Sequence, residues 1–303
     1  MPKSKLHHVC VCICTYKMPL FLLRLLSKLE TQNTDDIFNL SIVVVDNDNH
    51  ESARQAVESY AAKSKLSVNY YVQPEQNIAI ARNTAIEHAK GDFICLIDDD
   101  EVPAQNWLLN LYKAINNYKS DGILGPVLPH FENPPPKWVL KAGFFDRPTH
   151  PTGHIMEWNN TRTGNALMKK ELFRDGHTRF DPIFGSGGED RDFFRRKIEA
   201  GHVFVWCNEA PVYETVPPER WKRTVMIRRA LLRGKVAFES TSTNPFSILK
   251  SILAVSIYTL GLPIFLILGQ HVFMNYLVKD CDHIGKVLAA VGIDIVKEKY
   301  VIS

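Results

Sequence analysis

With 303 residues, the chain is long enough for one large α/β domain and an appendage. Its 45% hydrophobic and 23% charged residues are those of an ordinary globular protein able to bury a sizeable core. A formal net charge of only +3 argues against a nucleic-acid binder, and no CxxC pair among the six cysteines offers a zinc site.

The first apolar run, VCVCIC at Val9–Cys14, reads as a buried strand. Cys10, Cys12 and Cys14 alternate along it as small buried hydrophobes, which suits a reducing compartment better than disulfides. No apolar segment precedes this strand, so no signal peptide is expected and the main domain is expected on the cytosolic side. Leu20–Leu29 then shows helical spacing. LSIVVV at Leu40–Val45 is a second buried strand, ending in Asp46-Asn47-Asp48-Asn49. A helix is expected over Glu51–Lys63, a strand over Val68–Val72 and a helix over Ile78–Ala89. FICLI at Phe93–Ile97 is a fourth strand running into Asp98-Asp99-Asp100-Glu101, followed by a helix over Gln105–Tyr118. Strands alternating with helices at this spacing imply a mostly parallel sheet with helices on both faces.

Pro129–Pro151 is irregular and proline-rich, as a surface loop over a site would be. Further elements are expected as a strand at Thr163–Met168, a helix at Phe193–Ala200 closed by Gly201, and a strand at Val203–Trp206. The tail differs in kind. Ser251–Val278 contains no Asp, Glu, Lys or Arg, is longer than the roughly 20 residues that span a bilayer, and is interrupted by Gly261 and Pro263. A basic stretch from Arg220 to Lys235 precedes it, a pattern attracted to anionic headgroups of the cytoplasmic leaflet. The expected organisation is a catalytic domain over 1–235 and an apolar, membrane-associating helical segment over 236–303.

Asp98, Asp99 and Asp100 stand where ligands bind in open parallel sheets, beyond the carboxyl end of a strand. Adjacent carboxylates repel one another, and oxygen ligands suit Mg²⁺ or Mn²⁺, which can hold a diphosphate; a solvated acidic turn is the alternative. Asp46 and Asp48 end a neighbouring strand, either as an Asx turn or as contacts to a nucleotide, with Thr15 and Tyr16 beside them. Asn77 and Arg82 belong to NIAIARN, where an arginine fork can grip phosphate oxygens or simply sit on a helix surface. In FGSGGEDRDFFRRKIEAG, glycines precede Glu189, Asp190 and Asp192 at a helix start. These acids stabilise the helix dipole or supply a general base for an acceptor hydroxyl. Glu214, in VYETVPPER, is a loop carboxylate or closes over a metal.

The blocks ICTYKMP, VVVDND, NIAIARN, LIDDDE, TGNALM and GGEDRDFFRR, in this order over about residues 8–235, resemble the family-two inverting glycosyltransferases of the GT-A fold. More narrowly, the chain resembles the ExoM-like glucosyltransferases of succinoglycan biosynthesis. The resemblance implies a GT-A nucleotide-diphospho-sugar transferase fold and transfer from a UDP-sugar donor. Thr15, Tyr16, Asp46, Asp48, Asn77, Arg82, Asp98 and Asp99 would then serve the donor, Asp100 and Glu214 the Mn²⁺ or Mg²⁺. Asn165 and Glu189 would meet the acceptor or donor sugar, and Asp190 would be the catalytic base. Many relatives carry a histidine where Glu214 stands, so the third metal ligand departs from the pattern. The expected partner is a lipid-linked saccharide at the cytoplasmic face of the plasma membrane, in bacterial surface polysaccharide or lipopolysaccharide assembly. Two alternatives stand beside it. A sugar-nucleotide nucleotidyltransferase would carry a glycine-rich basic loop where CTYKMP stands. A non-catalytic membrane adaptor would have lost the acids that this chain keeps.

Overall fold

The computed structural model describes residues 6–174, 179–185, 187–239 and 245–296; the parts of the expected C-terminal segment at 240–244 and 297–303 lie outside them. The apolar runs form strands β1 (His7–Thr15), β2 (Phe38–Asp46), β3 (Ser67–Val72) and β4 (Phe93–Ile97). Between them lie helices α1 (Pro19–Glu30), α2 (Arg54–Ala61) and α3 (Ile78–His88). The chain continues through β5 (Glu101–Pro103), α4 (Trp107–Tyr118), β6 (Gly122–Leu124), β7 (Val127–His130) and α5 (Lys137–Ala142). Then follow β8 (Asn165–Lys169), α6 (Glu189–Glu199), β9 (Phe204–Trp206), β10 (Val212–Thr215), α7 (Arg223–Glu239), α8 (Pro245–Ile267) and α9 (Gln270–Ala290).

Seven strands make the main sheet, in the order β3-β2-β1-β4-β8-β6-β9. β1 to β4 are mutually parallel and β6 is parallel to β9, while β8 runs antiparallel to both of its neighbours. The alternation of strand side chains divides the core into two layers. Val9, Val11 and Ile13 pack with Leu22, Leu25, Leu26 and Leu29 of α1 and Trp107, Leu108 and Leu111 of α4. Cys10 and Cys12 pack on the other side with Ala79, Ala81 and Ala85 of α3 and Phe193 and Phe194 of α6. Each large side chain fully buried in this way contributes roughly 1.5–3 kcal/mol. The six cysteines are free thiols, all but Cys14 buried.

Short elements emerge where the sequence suggests loops. β5, β10 and β7 form a second, three-stranded sheet, and α5 lies inside the segment expected to be irregular. The helix read over Phe193–Ala200, with Glu189, Asp190 and Asp192 at its start, runs from Glu189 to Glu199. Gly187 (φ 128°) and Gly188 (φ 95°) turn the chain through a backbone region that other residues avoid, so the acids following them open the helix.

The chain divides into two units: residues up to Pro129 together with Arg147–Thr215, and His130–Asp146 together with the chain from Val216 onward. The boundary expected at 235 falls inside α7. In the second unit, α9 packs against α7, α8 and α5. Gly234 and Gly285 let α7 and α9 touch backbone to backbone: a Cβ on Gly285 would lie 2.2 Å from the Leu231 carbonyl oxygen. Arg233 of α7 adds a forked ion pair to Asp282 of α9, at 3.0 and 3.2 Å.

Candidate active site

Parallel pairing aligns the carboxyl ends of β1, β2 and β4. Thr15 is in register with Asp46, and the acidic run begins one residue beyond Ile97. The Thr15 hydroxyl donates to Asp99 Oδ2 at 2.6 Å, joining two of these strand ends. Asp99 is a half-buried residue whose carboxyl group is turned inward onto Thr15. Burial, then the charges of Asp100 and Asp98, push its pKa up to about 8. Glu101, which sequence reasoning left without a role, is 1% exposed and accepts the Asp98 amide at 3.0 Å. Burial raises its carboxyl too, followed by Asp98 and Asp100. Across the small sheet Glu101 is paired with Glu214, which is ion-paired to Arg147.

Arg82 is the hub of the site. Its guanidinium is buried, bonds Glu189 through Nη1 and reaches Asp98 Oδ1 through Nη2 at 3.3 Å. The end of β4 is thereby tied to the start of α6. Glu189 is buried as well, its Oε2 without a hydrogen-bond partner among the described residues; burial raises its carboxyl against the opposing pull of Arg82. Asp190 comes next on the same first turn, half-buried, its Oδ1 accepting the Arg191 amide at 2.7 Å.

Several expected donor residues have structural work on this edge. Asp46 is fully buried and accepts from the Asp48 amide (3.1 Å), the Ala53 amide (2.7 Å) and the Tyr70 hydroxyl (2.9 Å). Asp48, also buried, accepts the His50 amide at 3.2 Å, so the loop after β2 is a pair of successive Asx turns. Asn77 caps α3, accepting from the Ala79 and Ile80 amides, and donates to the Pro182 carbonyl at 2.9 Å. Asn47, not singled out from the sequence, binds the Asn77 amide and the Gln73 and Glu75 carbonyls. Tyr16 is half-buried with the Lys17 ammonium 4.9 Å from its ring centre. Asn165 is buried and spends its amide on Trp107 Nε1 (2.8 Å) and the carbonyls of Pro126 and Ala210. It therefore shapes the floor of a neighbouring concavity.

That concavity, about 470 Å³ and open to solvent, is lined by Asn165, Arg147, Asn159, Asn160, Arg162 and Trp206 among others. Arg162 lies within electrostatic reach of Arg147, Asp190, Glu214 and Arg191, which links the concavity to the α6 acids. Among the described residues no three His, Cys, Asp or Glu side chains are gathered as a finished metal cage. The donor set nonetheless fits a hard cation. Asp98, Asp99, Asp100 and Glu101 crowd together, and a divalent ion bound to oxygen would relieve their mutual repulsion. Gly164 faces Asp98 and Glu101 so closely that a Cβ there would stand 2.7 Å from Glu101 Oε1, which keeps this acidic corner open.

Residues 10–180 match the family described as Glycosyl transferase family 2. Over 239 residues the chain is 33% identical to the succinoglycan biosynthesis protein ExoM of Rhizobium meliloti (strain 1021), covering 78% of this chain and 75% of that protein. Among solved structures it is similar to S. aureus TarS 1-349 in complex with UDP-GlcNAc (TM-score 0.54, 19% identity). It is similar also to the same protein in complex with UDP (TM-score 0.52, 21% identity). Both alignments cover 95% of this chain and 94% of the other. The family match runs from β1 past Asn165 and takes in more than half of the 303 residues, so the chain belongs to glycosyl transferase family 2 and is a glycosyltransferase.

Proposed function

We propose that the protein transfers a sugar from a UDP-sugar to a lipid-linked saccharide in surface polysaccharide assembly, by one in-line displacement with Asp190 as the base. The observation that carries this reading is the Arg82 bridge. It fastens Asp98, at the end of β4, to Glu189, the immediate neighbour of Asp190, so donor edge and candidate base share one charged cluster. The TarS structures with UDP and UDP-GlcNAc support a uridine nucleotide as the donor handle. The role of ExoM in succinoglycan biosynthesis supports a saccharide acceptor, and the apolar helix α8 supports an acceptor met at a membrane.

Asp190 takes the proton of the acceptor hydroxyl as its oxygen bonds to the anomeric carbon, while the bond to the UDP oxygen breaks and its electron pair leaves with UDP. One displacement inverts the anomeric centre. Asp100 and Glu214 are the residues that would hold Mn²⁺ or Mg²⁺, with Asp98 on the donor side; the ion when bound stabilises the charge of the departing diphosphate. Arg82 and Thr15 keep the acids of this edge oriented. Asp190→Asn tests the assignment: transfer should fall by at least about a hundredfold, the usual share of a general base, with UDP affinity nearly unchanged. Near-normal turnover removes Asp190 from the mechanism.

A further inference from the structure

Among the described residues, the C-terminal unit carries an apolar surface exposed to solvent. Phe246–Ile267 of α8 is strongly apolar, and almost none of its most apolar 18-residue stretch is buried. Phe246, Leu249, Leu253, Ile257, Leu260 and Ile264 recur at three- and four-residue intervals and are all exposed, so one stripe of the helix faces outward. By length and composition alone such a helix can cross a bilayer.

The opposite face of α8 speaks against crossing. It is joined to α9 by polar contacts along its length. Lys286 donates to Ser247 at 2.5 Å, His283 lies 3.2 Å from the Ser251 hydroxyl, and Thr259 donates to Asp280 at 2.9 Å. Phe265 stacks on Tyr276 near the turn, at 3.9 Å. The two helices therefore form an antiparallel hairpin with Asp280 near the middle of α8. If α8 crossed the bilayer, Lys279, Asp280, Asp282 and Lys286 would be drawn into or beside the hydrocarbon. On its other side α9 is held by α7, through the Arg233–Asp282 pair. The charge balance suits a headgroup layer: residues 216–303 hold 12 Lys and Arg against 6 Asp and Glu, whereas the whole chain holds 36 against 33.

We propose that α8 lies in the plane of an anionic membrane, its exposed stripe sunk into one leaflet, with α9 and α7 stacked on the aqueous side. The occupant of the apolar face is lipid. The chain grips one leaflet and does not span the bilayer. This inference is independent of the donor and base assignments.

Spin labelling of the full chain tests it. Nitroxides are attached singly at Phe246→Cys, Ile257→Cys and Ile267→Cys, all at exposed positions, and the signal of the unsubstituted chain is subtracted. The protein is bound to vesicles of equal parts phosphatidylglycerol and phosphatidylcholine, and depth is read from collisions with oxygen and with a water-soluble nickel chelate. The expected result is one shared, shallow depth beneath the headgroups at all three sites. A spanning helix would place Ile257 deepest and separate the outer two by about 31 Å along the normal, at 1.5 Å per residue, and would overturn the proposal. So would water-like collision at every site, or labels shielded from both reagents by a second copy of the chain. Leu260→Asp should lower vesicle affinity at least tenfold and leave UDP affinity unchanged; undiminished vesicle binding contradicts the proposal.

Discussion

Arg82 is a buried cation that exists in this fold only because two carboxylates from different elements meet it. Removing the charge leaves Glu189 buried without its partner, the costly way to break such a pair. Arg82→Met should therefore destabilise the protein by about 3–5 kcal/mol in urea unfolding, and Arg82→Lys should recover only part of this, since an ammonium cannot fork to both acids. A loss under about 1 kcal/mol would show that the bridge is not a buried, coupled unit. At this scale the sequence was legible where chemistry is concentrated. Three aspartates after an apolar run announced the edge of β4, and the ED pair after glycines announced the start of α6. It was not legible where a polar group's partners lie far along the chain. Nothing around Asn165 says that its amide will join Trp107, Pro126 and Ala210. Nor does VVVDND reveal that Tyr70, 24 residues on, will bond Asp46.

The elements of the site are held together by amide side chains rather than by apolar packing alone. Asn83 of α3 donates to the Phe180 carbonyl at 2.7 Å and accepts the Phe180 amide at 3.0 Å, and Asn77 holds Pro182 from the same helix. The segment leading into Glu189 and Asp190 is thus clipped to α3, which also carries Arg82. Asn83→Ala should lower kcat while leaving UDP affinity within about twofold, because it loosens the base and not the donor edge. Hydrogen exchange should quicken at Phe180 in the same variant. An unchanged kcat would mean that this clip does not position the base. Long strands and amphipathic helices were readable from periodicity because their apolar residues repeat along one face, as Leu22, Leu25, Leu26 and Leu29 do in α1. β5, β6, β7 and β10 were not, since three or four residues give periodicity nothing to repeat, and β5 carries a buried glutamate and a proline. Nor does the pattern of β8 disclose that it runs against its neighbours, because strand direction is set by the chain's route and not by its side chains.

At the scale of the whole chain, two units carry two kinds of chemistry: an acid-rich sheet edge in one and a basic, apolar-faced helical layer in the other. Asp98, Asp99 and Asp100 crowd one edge of the sheet with Thr15 beneath them, an arrangement that a divalent ion and a diphosphate would complete. Calorimetric titration of the full chain with UDP, with and without Mn²⁺, and with Asp100→Ala in parallel, tests this most directly. The expected result is UDP binding that requires Mn²⁺ and is weakened at least tenfold by Asp100→Ala. No UDP binding in the presence of Mn²⁺, or binding indifferent both to the metal and to Asp100, would contradict the assignment of this edge as a metal-dependent donor site.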